Sequence, residues 1–510
     1  MIRTVLFATA LTASLFFRNT PGNNDVVWWE SHIPALTFVA LLLLQLCIPD
    51  RFRQSEKAAF SSAMLVLAIS GVAAVFLADR ANSSIYAMGI TLAVPSMLYI
   101  ADTGRKGIKA VLCIVFIVCF AAVAKSCSRT GIIAMSLSAM FLLHSLFRFR
   151  ARYVFAFATG AVLLLAILLF FVKKDSSNGR AFILENTVAM IAEKPAGWGK
   201  RGFEANYMYR QAEYFRNNSN ETAAMLADDI KHPLNEFLYI AVNYGVHILL
   251  LAVMGVVILI ILLYKRHTKE SRNTLHFMAL LVIWCCFSYP FSVSFVPVML
   301  LGYITELPGV EQLRRKWYLC YPAVMLLLLY AGISLRAFND EREWNNAINE
   351  YHRGNRETAM QVFDRWEELH INKGAMLFSL ATIEYNNKDY DKCIEVCNMC
   401  SNYLASYDLE FVLANSYLFA GDNEKALEHF GVAHNMCPNR FVPLYKQFKI
   451  YKAQDDTVRM ISIGNEILAK RVKVPSRKID IILNNVRYEL QKIVKSPHLT
   501  SPLMGRDNKG

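Results

Sequence analysis

The stretch FLYIAVNYGVHILLLAVMGVVILIILLY, Phe237–Tyr264, carries no Asp, Glu, Lys or Arg and runs straight into Lys265 and Arg266. Lipid offers no partner to a bare amide, so a chain crosses a bilayer as a helix, and roughly 20 apolar residues cover the ~30 Å hydrocarbon core. The stretch meets that demand, and ten further runs of the same kind appear on working outward from it. Downstream lie Thr274–Phe287, Ser292–Glu306 and Trp317–Leu335; upstream lie Thr4–Phe17, Ile33–Ile48, Ala58–Ala78, Asn82–Ile100, Ile108–Ala124, Thr130–Phe147 and Tyr153–Val172. The first is short and opens with Arg3, so it is either a span or a signal peptide; cleavage would leave every later orientation unchanged. The chain is 55% hydrophobic and 19% charged, against about 25% charged in soluble proteins. That mean hides two regions: a polytopic membrane domain over residues 1–336, and a mixed, charged domain over 337–510. The sequence therefore predicts an all-α protein, with about eleven spans followed by a soluble helical domain.

Lys and Arg resist translocation, so their placement in short loops sets the orientation. One set of loops holds Arg51, Arg53, Lys57, Arg105, Lys106, Lys109, Arg148, Arg150, Arg152, Lys265, Arg266, Lys269, Arg272, Arg314, Arg315 and Lys316. The opposite short loops hold only Arg18, Arg80, Lys125 and Arg129. This alternation predicts a cytoplasmic N-terminus and puts the turn at 125–129, the large loop at 173–235 and the C-terminal domain outside. The net charge of +13 is thus mostly topological, and nucleic-acid binding is not expected. Within the large loop the two signs nearly balance.

The C-terminal domain repeats itself. "HRGNRETAM", "NNKDYDKCI", "AGDNEKALE" and "AQDDTVRMI" align Ala359, Cys393, Ala426 and Met460 at steps of 34, 33 and 34, with Tyr351, Tyr385, Tyr417 and Tyr451 upstream. This resembles the tetratricopeptide (TPR) pattern, and implies an α-solenoid whose concave face takes a protein partner or serves as a spacer or dimerisation surface. Cys393, Cys397 and Cys400 lie on one helical face, where metal binding or disulfides are conceivable; the repeat register reads them as core.

The span interiors are almost uncharged, which argues against an ion-coupled transporter. Chemistry is expected where polar residues gather on the outer face, in three places: "AKSCSRTGIIAM" with Arg129, "SSNGRAFILENTVAMIAEKPAGWGKRGF" with Arg180, and "DDIKHPLNEFLYIAVNYGV" with His232, Asn235 and Glu236. No zinc-like His/Cys cluster, acidic triad or phosphate-binding Gly loop stands there, so chemistry without a metal or other cofactor is expected.

The order of these elements resembles the O-antigen ligase and polymerase superfamily over roughly residues 30–310. It rests on the "SRTG" turn before a span, the "GR" that opens a large outer loop, the Pro195–Phe203 glycine stretch and the His and Asn before an apolar helix and a Gly. Many members carry His directly before the Asn, whereas Leu234 stands there and His232 lies three residues ahead of Asn235. The resemblance implies a glycan donor on a polyprenyl diphosphate carrier and an acceptor hydroxyl on a lipid core, a glycan or a protein, joined at the periplasmic side of an inner membrane. The superfamily's polymerases, and a purely structural role in which the spans anchor a repeat array, are the alternatives.

A departing diphosphate needs fixed cations, a role that suits Arg129 and Arg180, since arginine stays ionised and grips phosphate through paired hydrogen bonds. An imidazole titrating near neutrality is a good general base, which suits His232. Asn235 either orients a substrate or caps the next helix, and Glu236 tunes the histidine. Lys200 and Arg201 either grip phosphate or face water. Trp198, Phe203 and Tyr207 either stack on sugars or anchor the loop at the interface.

Overall fold

The computed structural model describes residues 64–73, 75–76, 83–103, 106–147, 174–293, 296, 299–300, 302–303, 320–369 and 372–494. The runs expected at Thr4–Phe17, Ile33–Ile48 and Tyr153–Val172 lie outside the described residues, and those at Ala58–Ala78, Ser292–Glu306 and Trp317–Leu335 are described only in part. Among the described residues every regular element is helical. Along the chain these are α1 (Met64–Ala73), α2 (Ser83–Thr103), α3 (Lys106–Lys125), α4 (Arg129–Phe147), α5 (Lys174–Glu193), α6 (Gly202–Asn217), α7 (Glu221–Leu226), α8 (Glu236–Tyr244), α9 (Val246–Arg266) and α10 (Lys269–Phe287). They continue with α11 (Cys320–His352), α12 (Arg356–Phe363), α13 (Lys373–Asn386), α14 (Tyr390–Cys400), α15 (Tyr407–Ala420), α16 (Asn423–Met436), α17 (Val442–Ala453), α18 (Thr457–Ala469) and α19 (Arg477–Val494).

The chain divides into two compact units that interleave in sequence. The first takes the described residues up to Ser177, then Ile191–Lys200 and His232–Asn372; the second takes Asn178–Met190, Arg201–Lys231 and the described residues from Lys373 on.

In the first unit, two helices are long and apolar enough to cross a membrane, Gly107–Lys125 and Val246–Arg266, and Met64–Ala73, Ser84–Met97 and Arg129–Leu142 are shorter apolar helices. The 21 residues of α9 rise about 31 Å, matching a hydrocarbon core. Leu250, Leu251, Met254, Ile258 and Leu262 stand exposed around it, as do Val111, Ile114 and Ile117 on α3. Apolar surface of this extent is unfavourable in water and costs nothing against acyl chains. The interior between α1, α2, α4 and α10 is closed by large side chains with satisfied polar tips. Trp284 Nε1 donates to Thr91 Oγ1 at 2.9 Å, and the Tyr303 hydroxyl lies 2.7 Å from Ser96 Oγ. His276 is fully enclosed, 3.1 Å from Ser138 Oγ and stacked on Phe141.

Two boundaries differ from the sequence expectation. The single span expected over Phe237–Tyr264 is two helices, α8 and α9, separated at Gly245, whose φ of 91° no helix allows. Nor does a break fall at 336: α11 runs unbroken for 33 residues, from apolar Met325, Leu328 and Leu329 past Leu335 to the buried Trp344.

The second unit is a run of helical hairpins, α13 with α14, α15 with α16 and α17 with α18, closed by α19. Each second helix starts on an aspartate whose carboxylate accepts the amide three residues on: Asp389 from Lys392, Asp422 from Lys425 and Asp456 from Arg459. The turn before each uses a left-handed residue, at Lys388, Gly421 and Asp455, and Gly354 adopts the same conformation one period earlier. Cys393, Cys397, Cys400, Ala426 and Met460 are buried, as the repeat register requires.

Most of the large loop joins this unit. α6 packs along α16, and Gln211 Nε2 donates to the Met436 carbonyl at 2.6 Å and to that of Asp228 at 3.1 Å. The Tyr209 hydroxyl donates to Glu410, the Ala405 amide to the Glu204 carbonyl, and Arg440 pairs with Asp228.

Candidate functional site

The "SRTG" turn builds a cationic helix start. Ser126, Cys127 and Ser128 connect α3 to α4, with Cys127 at φ 52°. Ser128 Oγ accepts the Gly131 amide at 3.2 Å and so caps α4. A Cβ at Gly131 would lie 2.9 Å from Val123 Cγ1 and 3.2 Å from Ala87 Cβ, so the absence of a side chain lets three helices meet here. Arg129 is the first residue of α4. Its guanidinium donates to Ser177 Oγ at 2.6 Å and to Ser176 Oγ at 2.9 Å, both in the first turn of α5. Among the described residues no carboxylate pairs with it, so its charge, added to the positive end of α4, is free to meet an anion.

Arg180 stands on α5 three and four residues beyond these serines, on the same helical face and exposed, in the stretch belonging with the second unit. In that unit Phe182 packs on Tyr214 and Phe215.

The Pro195–Gly199 segment has a structural task in the first unit. A helix break leaves carbonyls and amides without partners. The Trp198 and Gly199 amides donate to the Val242 and Asn243 carbonyls at 2.7 and 2.9 Å, and the Pro195 carbonyl accepts the Val246 amide at 2.9 Å. Both ends of the interruption at Gly245 are thereby satisfied. Trp198 is half-buried, with the Lys194 ammonium 5.3 Å over its ring. Lys200 is exposed. Arg201 precedes α6 in a left-handed conformation and pairs with Glu204 at 2.9 Å. Phe203 and Tyr207 are fully buried and stacked on each other in the second unit, so neither offers a face to a sugar.

The "HPLNE" segment gathers polar atoms before α8. Asn235 caps that helix, its Oδ1 accepting the Leu238 amide at 3.1 Å, while its Nδ2 donates to the Cys286 carbonyl at 3.0 Å. Leu234 adopts φ 56°, which turns its amide onto His232 Nδ1 at 3.0 Å. A nitrogen that accepts carries no proton, so the neutral ring holds its hydrogen on Nε2. That atom is buried without a hydrogen-bond partner among the described residues and faces Glu236 Oε2 at 3.9 Å. The other oxygen of Glu236 accepts the Phe291 amide at 2.8 Å. Tyr239 stacks on the imidazole at 4.5 Å between centroids, and Tyr289 leans on it at 5.4 Å.

Burial disfavours charge in both groups. It pushes the His232 imidazole down to about 3, and it raises the Glu236 carboxyl to about 7, with the Phe291 amide pulling the other way. The sequence leads one to expect a histidine titrating near neutrality; in this enclosure the carboxyl has that property instead.

His232 and Glu236 are thus brought together, and Arg129 is joined to Ser176 and Ser177. Sequence reasoning missed Tyr239, Tyr289, the Phe291 amide and the helix break at Gly245, a residue that the sequence marks only as part of the resemblance. The two tyrosines look like ordinary interfacial aromatics, and a backbone amide has no sequence signature.

The family model described as O-antigen ligase matches residues 114–253, a segment that contains Arg129, Arg180, Trp198, Lys200, Arg201, His232, Asn235 and Glu236. The match supports the O-antigen ligase superfamily, a class of integral membrane proteins, and with it a membrane glycosyltransferase-like function that takes a lipid-linked glycan and an acceptor. No curated protein and no solved structure matches this chain.

Proposed function

We propose that the protein is a multi-pass inner-membrane enzyme that transfers a glycan from a polyprenyl diphosphate carrier to an acceptor hydroxyl on the periplasmic side. The observation that carries this reading is the match over residues 114–253, within which an arginine that has no carboxylate partner among the described residues and a buried imidazole–carboxylate pair occur in one compact unit.

As the sugar's C1 leaves the carrier, negative charge collects on the diphosphate. Arg129 at the start of α4 meets that charge, and Arg180 is assigned the same role on the family resemblance. Removing one such donor typically costs ~10²–10³ in rate. The His232–Glu236 pair handles the acceptor hydroxyl, and Lys200, Arg201 and Trp198, at the glycine stretch, are assigned to substrate binding on the family resemblance. The N-terminus is cytoplasmic, and the large loop and the TPR-like repeats are periplasmic. A protein acceptor or partner fits the repeats best, because much of the large loop is packed into them.

A deletion strain complemented with Arg129→Ala, Arg180→Ala or His232→Ala tests the reading through the polyprenyl diphosphate-linked glycan that builds up. At wild-type membrane levels, each variant is expected to cut consumption by about 100-fold or more. Normal consumption in all three rejects the site, and normal consumption in the deletion strain itself rejects the function. The molecule that stays unmodified identifies the acceptor: bare lipid core, single repeat units or unglycosylated protein.

A further inference from the structure

We propose that Glu236 takes the proton from the attacking hydroxyl and that His232 holds this hydroxyl by donating a hydrogen bond to it. The assignment rests on the glycan-transfer reading above and goes further by dividing the labour within the pair.

The hydrogen bonds fix which atoms are available. His232 Nδ1 is occupied by the Leu234 amide, which leaves Nε2 as a donor. To act as a base, that nitrogen would first have to lose its proton, or the ring would have to exchange tautomers and give up the bond that shapes the turn. Glu236 is held by one oxygen on the Phe291 amide, and its second oxygen is the one turned to His232. The 3.9 Å between Oε2 and Nε2 is too long for a hydrogen bond. A hydroxyl oxygen entering between them would lie about 2.8 Å from each, accepting from Nε2–H and donating to Oε2, and its entry requires the side chains that enclose Nε2 to part. A buried donor with no partner is unusual in a folded protein, and a bound hydroxyl supplies the missing acceptor.

Electrostatics supports the same division. Among the described residues, the titratable groups around the pair are the Cys285 thiol at the end of α10 and the Tyr239 and Tyr289 rings against the imidazole, and none of them brings a fixed charge to it. A carboxyl titrating near 7 can take a proton at physiological pH and return it, whereas an imidazole held near 3 cannot.

In the reaction, the acceptor O–H bond gives its proton to Glu236 Oε2 while the oxygen forms a bond to the sugar's C1. The bond from C1 to the carrier's phosphate oxygen breaks, and its electron pair leaves with the diphosphate. Glu236 then passes the proton to water.

The test uses membrane vesicles from the deletion strain, which hold their own accumulated lipid-linked glycan and acceptor, with full-length variants expressed at matched levels. Wild-type consumption should rise with pH through about 7, as Glu236 ionises. Glu236→Gln should be slower by about 100-fold or more and lose that rise. Glu236→Asp, which keeps a carboxylate at a longer reach, should be slower and keep it. His232→Asn, which retains a donor, should also be slower and keep it.

The proposal is overturned if Glu236→Gln runs within about threefold of wild type, if the rise survives in Glu236→Gln, or if it vanishes in His232→Asn. Should Glu236→Gln fail to accumulate, Glu236→Asp decides, and loss of the rise there overturns the assignment. If wild-type protein does not consume the lipid-linked glycan at all, glycan transfer itself fails, a result distinct from any of these.

Discussion

A Cβ on Gly197 would lie 2.6 Å from the Gly245 amide nitrogen and 2.8 Å from the Asn243 carbonyl oxygen, and one on Gly245 would lie 2.6 Å from the Ala196 carbonyl oxygen. Both residues also sit at φ above 90°, so each is confined to glycine by conformation and by space together. We expect Gly197→Ala to loosen the segment that satisfies the helix break. The measurable outcome is faster proteolytic cutting within 194–200 and at least a tenfold fall in glycan consumption, both relative to the exposed helical control Gly255→Ala, where φ is not positive and a Cβ meets nothing within 4 Å. Gly197 is legible as part of a turn from its neighbours. The break at Gly245 is not, because a glycine amid apolar residues, even one noted as a family feature, looks like any glycine in a span. The same limit applies at the site: His232 stands out as the single histidine of its loop, whereas its tautomer is decided by the Leu234 amide, and no residue type announces that.

Among elements, the repeats are the most legible, since their period, their buried small positions and the Asp at each second-helix start are all written in side chains. Each such cap contributes about 1 kcal/mol. What the loop does is hidden. Its nearly balanced charges suggest a solvated excursion, yet α6 lies against α16 with Gln211 fully buried and bonded to two carbonyls. Burying this glutamine is offset by the two carbonyls that accept from its Nε2, and an amphipathic pattern alone cannot say which surface supplies them. Gln211→Leu leaves the Met436 and Asp228 carbonyls without this donor. Limited proteolysis should then cut within 201–231 at least several times faster than in wild type, while the level of the protein in the membrane stays near normal. Unchanged cutting would mean that the helix is held by its apolar contacts alone.

At the scale of the whole molecule, the apolar runs make the membrane class legible, because runs near the length set by a ~30 Å hydrocarbon core recur along the first two thirds of the sequence. The strict alternation of cationic loops makes a prediction about orientation. Reporter fusions after Lys57, Lys109, Arg152 and Arg272 should behave as cytoplasmic, and fusions after Cys127 or within the C-terminal domain as periplasmic. Fusions that report the reverse would move the site to the other side of the membrane and remove the proposed carrier chemistry with it.

The limits of the units were not legible, because hydropathy marks where lipid ends and is silent on which polar segments pack together. The chain passes between the two units at 177, 190, 200, 231 and 372, so the repeat unit is woven from three separate stretches of sequence. It cannot be grafted onto another anchor as a C-terminal cassette, since two of its pieces come from inside the segment that carries the family resemblance. Any exchange of these helices between relatives would have to carry the large loop along, which binds their evolution to that of the loop bearing Arg180.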